Sequence, residues 1–301
     1  MRPLHKSAHI RGLKHDLYKR LNKPAYRWIL AALAAGMATI RVRGVCRISY
    51  EGEWVQKFPQ GTLVEPRLTL WTPQEIERHT IELYFHQYVP KQGDTIVDVG
   101  AGTGWETLSF SRIVGSSGRV LSIEAHPTTF RCLSKMCEKN GLHNVTLIQA
   151  AIGDQEREVL LSDDDDHEAN FTIGVQSGVR VLGTTLDNIV RWHELSTIDY
   201  LKMNIEGAEG PALSGMREMI RRTRNVCISC HDFLADAGGP NELRTRADVI
   251  HFLNEYGFAV SLRESDVRSN VRSFVYGVNQ RMVSDDSHRQ TNSHTQDSLR
   301  R

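Results

Sequence analysis

Residues 94–107 read D-T-I-V-D-V-G-A-G-T-G-W-E-T, and this stretch decides the fold. The apolar run at 95–100 is typical of a short buried strand, and an amphipathic segment at 106–114 is typical of a helix. Between them, glycines recur at every second position: Gly100, Gly102 and Gly104. Glycines permit a sharp turn close to a ligand, and a helix start presents unpaired N–H groups. The stretch therefore predicts a strand, a ligand-binding loop and a helix.

Short apolar runs alternate with amphipathic stretches from Asp94 onward, which is the pattern of repeated strand–helix–strand units. The predicted parallel strands are residues 95–100, 119–125, 145–152, 198–205 and 226–230. The predicted helices are residues 106–114, 127–140, 211–222 and 242–256, with a further helix start at Thr185 or Asp187. Two final runs, 259–263 and 273–278, are expected to pair as a hairpin. The predicted fold class is α/β, a doubly wound and mostly parallel sheet with a terminal antiparallel hairpin.

Composition describes an ordinary soluble globular protein, with 40% hydrophobic and 24% charged residues. The formal net charge of +1 excludes a globally basic nucleic-acid binder, so no sequence-specific nucleic acid partner is expected. We expect a basic N-terminal accessory region at 1–90, a cofactor-binding domain at 91–281 and a disordered tail at 282–301. The sequence predicts no oligomeric state.

The N-terminal region is strongly basic, with eleven Lys or Arg in residues 1–47 against one acid, Asp16. It could contact anionic lipid, a nucleotide-linked glycan or nucleic acid, but a solvated basic arm is the simpler interpretation. The apolar run at 28–40 is shorter than the roughly 20 residues that span a bilayer. It could lie on a membrane surface or pack as a buried helix, and its many alanines favour packing.

The five cysteines are an odd number with no secretory signal before them, which favours a cytoplasmic protein with optional peripheral contact at the inner membrane. Cys227 and Cys230 form a CxxC, but residues three apart on a strand point to opposite faces and cannot grip one metal. The acidic run at 163–166 is more simply a solvated loop than a metal site. No metal is predicted.

The glycine spacing separates two classes of cofactor loop. A dinucleotide loop of the G-x-G-x-x-G type would need glycine at position 105, which is Trp105. The string D-x-G-x-G-x-G instead resembles motif I of class I methyltransferases, which implies S-adenosylmethionine as the cofactor. On that resemblance the cofactor-binding residues are Asp98, Gly100, Gly102 and Gly104. Glu124, at the tip of the second strand, has the position to bind both ribose hydroxyls, and Ala150 lies where the adenine usually sits.

Residues 198–209 read I-D-Y-L-K-M-N-I-E-G-A-E, which resembles the signature of FkbM family methyltransferases, typically L-K-I-D-V-E-G-A-E. The strings T-L-D at 185–187 and A-A-I-G-D at 150–154 also match that family, and the resemblance covers about residues 90–232. It implies O-methylation of a hydroxyl on a small-molecule, sugar, glycan or natural-product acceptor. Asn204 stands where the family usually has aspartate, and this departure would weaken or change any function as base or metal ligand.

Three polar residues, Lys202, Asn204 and Glu206, recur on one face of a strand that should be apolar. Because ligands bind at the carboxyl ends of such strands, Glu206 and Asn204 are predicted catalytic residues together with His231 at the end of the fifth strand. His231 or Glu206 would act as the base, and a metal between Glu206 and Asp232 is a weaker variant. A structural alternative pairs Lys202 with a buried carboxylate and makes Glu206 a helix cap.

Two other functions stay open. A nicotinamide oxidoreductase is opposed by Trp105 and by the terminal hairpin, since nicotinamide-binding domains usually lack that reversed last strand. A catalytically weak cofactor-binding or scaffold protein would be consistent with Asn204.

Overall fold

The computed structural model describes residues 18–162 and 178–283. The acidic run at 163–166, and the part of the predicted tail after Val283, lie outside the described residues. The chain divides into two compact units between Glu75 and Ile76. The functional division that the sequence suggested at residue 90 stays a prediction.

The N-terminal unit contains helix α1 (Arg27–Val42) and a three-stranded antiparallel sheet. The strands, in spatial order, are β1 (Arg47–Tyr50), β2 (Trp54–Phe58) and β3 (Gly61–Glu65). This sheet was not predicted. In β2 the neighbours Trp54, Val55 and Gln56 are all buried. The alternation of apolar and polar residues that identifies a strand with one solvent-exposed face is therefore missing.

The second unit, which begins within helix α2 (Pro73–Tyr84), is built on a seven-stranded sheet. Its strands along the chain are β4 (Thr95–Val99), β5 (Arg119–Glu124), β6 (Val145–Gln149), β10 (Ile198–Met203), β11 (Thr223–Ser229), β12 (Phe258–Leu262) and β13 (Phe274–Asn279). The spatial order is β12-β13-β11-β10-β4-β5-β6, and β13 runs antiparallel to both neighbours. The mostly parallel sheet and the antiparallel pairing of the last two strands confirm the predicted fold class.

The helices that follow the first two sheet strands agree with the sequence. They are α3 (Trp105–Val114) and α4 (Pro127–Asn140). Pro127 stands in the first turn of α4, and Gly141, in the left-handed region, ends it.

The predicted strand at 145–152 is divided between two sheets. After β6, the segment β7 (Ala151–Ile152) joins β8 (Arg157–Leu161) and β9 (Val179–Thr184) in a small sheet of order β7-β9-β8. Helix α5 (Leu186–Trp192) follows, and the Oγ1 of Thr185 accepts a hydrogen bond from the Asn188 N–H at 3.1 Å. This N-cap confirms the predicted helix start.

The predicted helix at 211–222 is two separate turns, α6 (Glu209–Ser214) and a 3₁₀ turn at Met219–Arg222. Gly215 ends α6 where a Cβ would lie 2.1 Å from the Gly153 carbonyl oxygen. The carboxylate of Asp187 then accepts the N–H groups of Glu218 and Met219 and starts the second turn separately.

The last long helix begins later than predicted. After the short helix α7 (Asp232–Asp236) and a 3₁₀ turn at Asn241–Leu243, helix α8 (Arg246–Glu255) starts where Asp232 accepts the N–H groups of Thr245 and Arg246. A one-turn helix, α9 (Ser269–Arg272), lies in the connection between β12 and β13. The sheet is buried on both faces, and the loops after its parallel strands share one edge, called here the carboxyl edge.

Candidate active site

The glycine loop after β4 has a left-handed backbone that packs against the end of β10. Gly100 has φ +71°, and a Cβ there would lie 1.9 Å from the backbone oxygen of Asn204. Gly102 has φ +57°, and a Cβ there would meet nothing within 4 Å. Gly104 precedes α3 and packs on Leu133 and Met136 of α4. The loop therefore needs glycine at Gly100 for packing, while the space at Gly102 is open for a ligand.

Glu124 holds the open part of this loop. Its Oε2 accepts the Gly102 N–H at 2.9 Å, and its Oε1 accepts the His126 N–H at 2.8 Å. Burial raises the pKa of Glu124, although these backbone donors act against that increase. Because each carboxylate oxygen can accept a second hydrogen bond, the predicted contact with ribose hydroxyls remains geometrically available.

A buried ion pair supports the loop from below. Lys202 Nζ lies 2.9 Å from Asp98 Oδ1 and donates to the Gly100 carbonyl oxygen at 2.7 Å, and neither side chain is more than 1% exposed. Thr107 Oγ1 donates to Asp98 Oδ2 at 2.8 Å. Burial acts to lower the pKa of Lys202, but Asp98 outweighs it and the net shift is upward, so the ammonium stays charged. Lys202 thus forms the internal ion pair with a buried carboxylate that the sequence offered as the structural alternative. A direct contact between Asp98 and the cofactor stays a prediction.

The chain leaves the sheet directly after β10. Glu206 has φ +48° and Gly207 has φ +89°, a left-handed turn that ends the strand at Met203. The expectation that Lys202, Asn204 and Glu206 share one strand face is therefore wrong, because Asn204 and Glu206 both lie beyond the end of the strand. The turn instead presents Glu206 at the carboxyl edge, with its side chain 21% exposed.

Asn204 is held by its backbone, while its side chain has an unused acceptor. Its N–H donates to the Val99 carbonyl oxygen at 3.0 Å. Its Oδ1 is buried and has no hydrogen-bond partner among residues 18–162 and 178–283. Buried amide oxygens are normally satisfied, so this atom marks a position where a ligand donor would be accommodated.

His231 lies between two glutamates at the end of β11. Its Nδ1 is 2.7 Å from Glu209 Oε1, and its Nε2 is 3.4 Å from Glu206 Oε2. The fully buried Glu209 also accepts Thr245 Oγ1 at 3.0 Å and the Gly207 N–H at 3.2 Å. We call Glu206, Glu209, His231 and Thr245 the His231 cluster.

Sequence reasoning brought Glu206 and His231 together but assigned no role to Glu209 or Thr245. Glu209 is the final acid of the I-E-G-A-E string, so its position was visible in the sequence. Thr245 gives no sequence signal, because the contact depends on where α8 begins.

The His231 cluster holds its imidazole in the protonated form. Burial acts to lower the pKa of His231, but the hydrogen bonds and charges of Glu206 and Glu209 outweigh it and raise the pKa to about 9. At neutral pH both ring nitrogens therefore carry protons, so that Nδ1 donates to Glu209 and Nε2 forms an ion pair with Glu206.

This shift predicts a pH dependence of stability. The folded-state pKa of His231 lies above its ordinary value of 6.5, so the stabilisation is fully present below pH 6.5 and is lost as the pH rises through about 9. A shift of this size corresponds to roughly 3 kcal/mol. We expect urea unfolding from pH 6 to 10 to show this loss in the wild type and a much smaller one in His231→Gln. Parallel pH profiles for the two proteins would contradict the assignment.

Metal-binding geometry is not found in residues 18–162 and 178–283: no group of three or more His, Cys, Asp or Glu there could hold an ion. Asp232 accepts two backbone N–H groups at the start of α8 through Oδ2, and a metal between Glu206 and Asp232 stays the weaker variant. All five cysteines lie in this part of the chain as buried thiols.

The site residues follow one another along the carboxyl edge. Ala150 lies buried after β6, whose last residue Gln149 pairs with Glu124 on β5. The glycine loop follows β4, Asn204 and Glu206 follow β10, and His231 follows β11. Open space at Gly102 and the Glu124 carboxylate beside it fit an adenosyl cofactor.

This sheet order with this loop defines the fold of class I S-adenosylmethionine-dependent methyltransferases. A model of the FkbM methyltransferase domain matches residues 98–260, more than half of the chain. The chain belongs to the FkbM methyltransferase family, and its cofactor is S-adenosylmethionine. The residues predicted to hold it remain Asp98, Gly100, Gly102, Gly104, Glu124 and Ala150.

Curated relatives match over short segments. A probable cobalt-precorrin-6B C(15)-methyltransferase of Saccharolobus solfataricus is 40% identical over 60 residues, 20% of this chain and 30% of that protein. A protein-L-isoaspartate O-methyltransferase of Methanococcus maripaludis is 30% identical over 70 residues, 23% of this chain and 33% of that protein. The chain thus spans about a third of the length of these two relatives.

Solved structures to which the chain is similar include an FkbM methyltransferase from Methylobacillus flagellatus. It is 17% identical, with a TM-score of 0.46, and the alignment covers 68% of this chain and 50% of that one. A SAM-dependent methyltransferase from Aquifex aeolicus is 19% identical, with a TM-score of 0.41 and coverage of 69% and 99%.

Proposed function

We propose that this protein transfers a methyl group from S-adenosylmethionine to a hydroxyl oxygen of a sugar, glycan or natural-product acceptor. The observation that carries the proposal is the His231 cluster, which presents the Glu206 carboxylate at the same sheet edge as the cofactor loop. A hydroxyl acceptor must lose a proton during transfer, and a positioned carboxylate can take it.

Glu206 is the base in this proposal. Because His231 is already protonated at neutral pH, it cannot accept a second proton and instead donates to Glu206 and Glu209. His231 thereby fixes the orientation of the Glu206 carboxylate, and buried Glu209 fixes His231. The unpartnered Oδ1 of Asn204 can accept a hydrogen bond from the acceptor.

The charge balance of the cluster also suits the cofactor. When bound, S-adenosylmethionine supplies a methyl group on a positively charged sulfur that a nucleophilic oxygen can displace. Two carboxylates around one imidazolium leave the His231 cluster with a net charge of about −1, which favours a cation nearby. Placing the acceptor oxygen in line contributes most of the rate advantage of such a transfer.

A polar cavity lies next to the His231 cluster. It has a volume of about 310 Å³, and charged side chains of both signs line it: Asp232, Asp236, Arg244, Arg246, Glu264 and Arg272. These residues follow β11 or β12, lie at the start of α8 or precede β13, which places the cavity at the carboxyl edge. A lining of balanced charges supports an acceptor with many hydroxyl groups over an apolar one.

The proposal is tested in two steps. Calorimetric titration of the full chain should show binding of S-adenosylmethionine and S-adenosylhomocysteine and none of NAD. Transfer of labelled methyl from S-adenosylmethionine is then measured on a panel of hexoses, uronic acids and oligosaccharides, with each sugar's O-methyl derivative as the control. Binding of NAD alone would overturn the methyltransferase assignment, and cofactor binding without any transfer would favour the scaffold alternative.

Gly102 provides a sharper test of the cofactor site. Gly102→Val places a side chain in the open space of the loop, and we expect at least a 100-fold loss of S-adenosylhomocysteine affinity by calorimetry. Gly52→Val is the matched control, since Gly52 also has positive φ (+91°) and open space at its Cβ but lies outside the loop. Equal affinity in the two variants would refute the site.

A further inference from the structure

Helix α1 exposes an apolar face. Its buried side chains, Ala31 and Ala34, are small. Large apolar side chains are exposed elsewhere on the helix: Trp28 by 69%, Leu33 by 56%, Met37 by 60% and Ile40 by 81%. Leu33, Met37 and Ile40 are spaced four and three residues apart and therefore form one stripe. We call these four exposed residues the α1 face.

This arrangement reverses the usual one, in which a surface helix turns its apolar side inward and its charged side to water. The exposed residues between the large side chains, Ala32 and Gly36, are apolar or small as well. A continuous exposed apolar strip of this kind marks a surface that meets a membrane or another protein.

The charges around the helix select between these partners. Residues 18–47 contain seven basic side chains and no acid: Lys19, Arg20, Lys23, Arg27, Arg41, Arg43 and Arg47. They lie before and after the helix core, and none interrupts the α1 face. Arg41 is paired with Glu75, but Lys19, Arg20, Lys23 and Arg43 are exposed. An apolar helix face bracketed by basic residues complements an anionic lipid surface.

We propose that α1 lies flat on an anionic phospholipid bilayer, with the α1 face inserted among the headgroups and the flanking basic residues on the lipid phosphates. The opposite side of the helix packs Ala31 and Ala34 against its own unit, so the helix is fixed parallel to the surface. Among the described residues, no helix is long and apolar enough to cross a membrane. Trp28, near one end of the helix, has the amphipathic ring that favours the interface.

The test is sedimentation of the full chain with vesicles of phosphatidylcholine alone or mixed with phosphatidylglycerol. We expect binding to the mixed vesicles that weakens as salt is raised. The variant Leu33→Glu with Ile40→Glu should bind about tenfold more weakly or worse, since it puts charge into the inserted stripe. Leu182→Glu is the matched control, because Leu182 is 60% exposed on β9 and should leave binding unchanged.

A second measurement reports insertion directly. Bromine-labelled phospholipid should quench wild-type fluorescence more than that of Trp28→Phe, and thermal unfolding checks that every variant is folded. Equal sedimentation of the stripe variant and the control, or equal binding to neutral and mixed vesicles, would overturn the proposal. A third result would also overturn it: the wild type forms a dimer and does not bind vesicles, and the Leu33→Glu with Ile40→Glu variant is monomeric. The α1 face would then be a protein interface.

Discussion

Replacing Lys202 with methionine is expected to lower the free energy of unfolding by about 3–5 kcal/mol, because it leaves the buried Asp98 carboxylate without its counter-charge. The same change removes the donor to the Gly100 carbonyl oxygen. S-adenosylhomocysteine affinity should therefore fall as well. Urea unfolding and calorimetric titration measure the two effects.

Two further variants distinguish the effect of an unpaired buried charge from the effect of losing the lysine side chain. The double variant Lys202→Met with Asp98→Asn removes both charges and should recover part of the lost stability. Arg180→Met breaks an exposed ion pair with Glu158 and should leave the free energy of unfolding nearly unchanged, because water screens the two charges. If Lys202→Met were no more destabilising than Arg180→Met, the ion pair would not support the loop.

Replacing Glu206 with glutamine is expected to lower kcat by about 10²-fold to 10⁴-fold, while affinity for S-adenosylhomocysteine, which lacks the sulfonium charge, stays unchanged. The amide keeps the shape of the side chain but cannot act as the base. Glu218→Gln, at an exposed acid beside Arg191, is the matched control and should leave kcat unchanged. The measurement is methyl transfer at saturating cofactor, with and without a chelator, once an acceptor is known.

The comparison with His231→Gln identifies the proton acceptor. If Glu206 is the base, His231→Gln should slow transfer less than Glu206→Gln, because His231 only orients the carboxylate. Near-normal turnover in Glu206→Gln with a severe loss in His231→Gln would transfer the role to His231. Inhibition by chelator would instead point to a metal that the described residues do not accommodate.

Local signals explain most of what the sequence could predict. The glycine loop, the caps at Thr185 and Gly141, and the placement of Glu124 and His231 at strand ends all follow from short-range patterns. Glu206 was predicted at the carboxyl edge because the strand was expected to continue to it. The sequence contains no pattern that predicts a glutamate in the left-handed region. The partners Glu209 and Thr245 are 36 residues apart, and such a contact follows from the packing of α8 alone.

The N-terminal unit shows the complementary failure. Its alanine-rich helix favoured burial, yet only Ala31 and Ala34 are buried while the large side chains face outward. Amino-acid composition shows how much apolar surface the helix has, but not whether that surface faces the protein interior or the solvent. Three-dimensional packing of the antiparallel strands that follow determines which side of the helix is covered.

The contact between Gly100 and Asn204 has an evolutionary consequence. It is made by the backbone oxygen of Asn204, so any side chain at position 100 would displace that carbonyl. The side chain of Asn204 takes no part in the contact, and aspartate or asparagine would leave it intact. Evolution can therefore change the side-chain chemistry at position 204 while the backbone contact that shapes the glycine loop is kept.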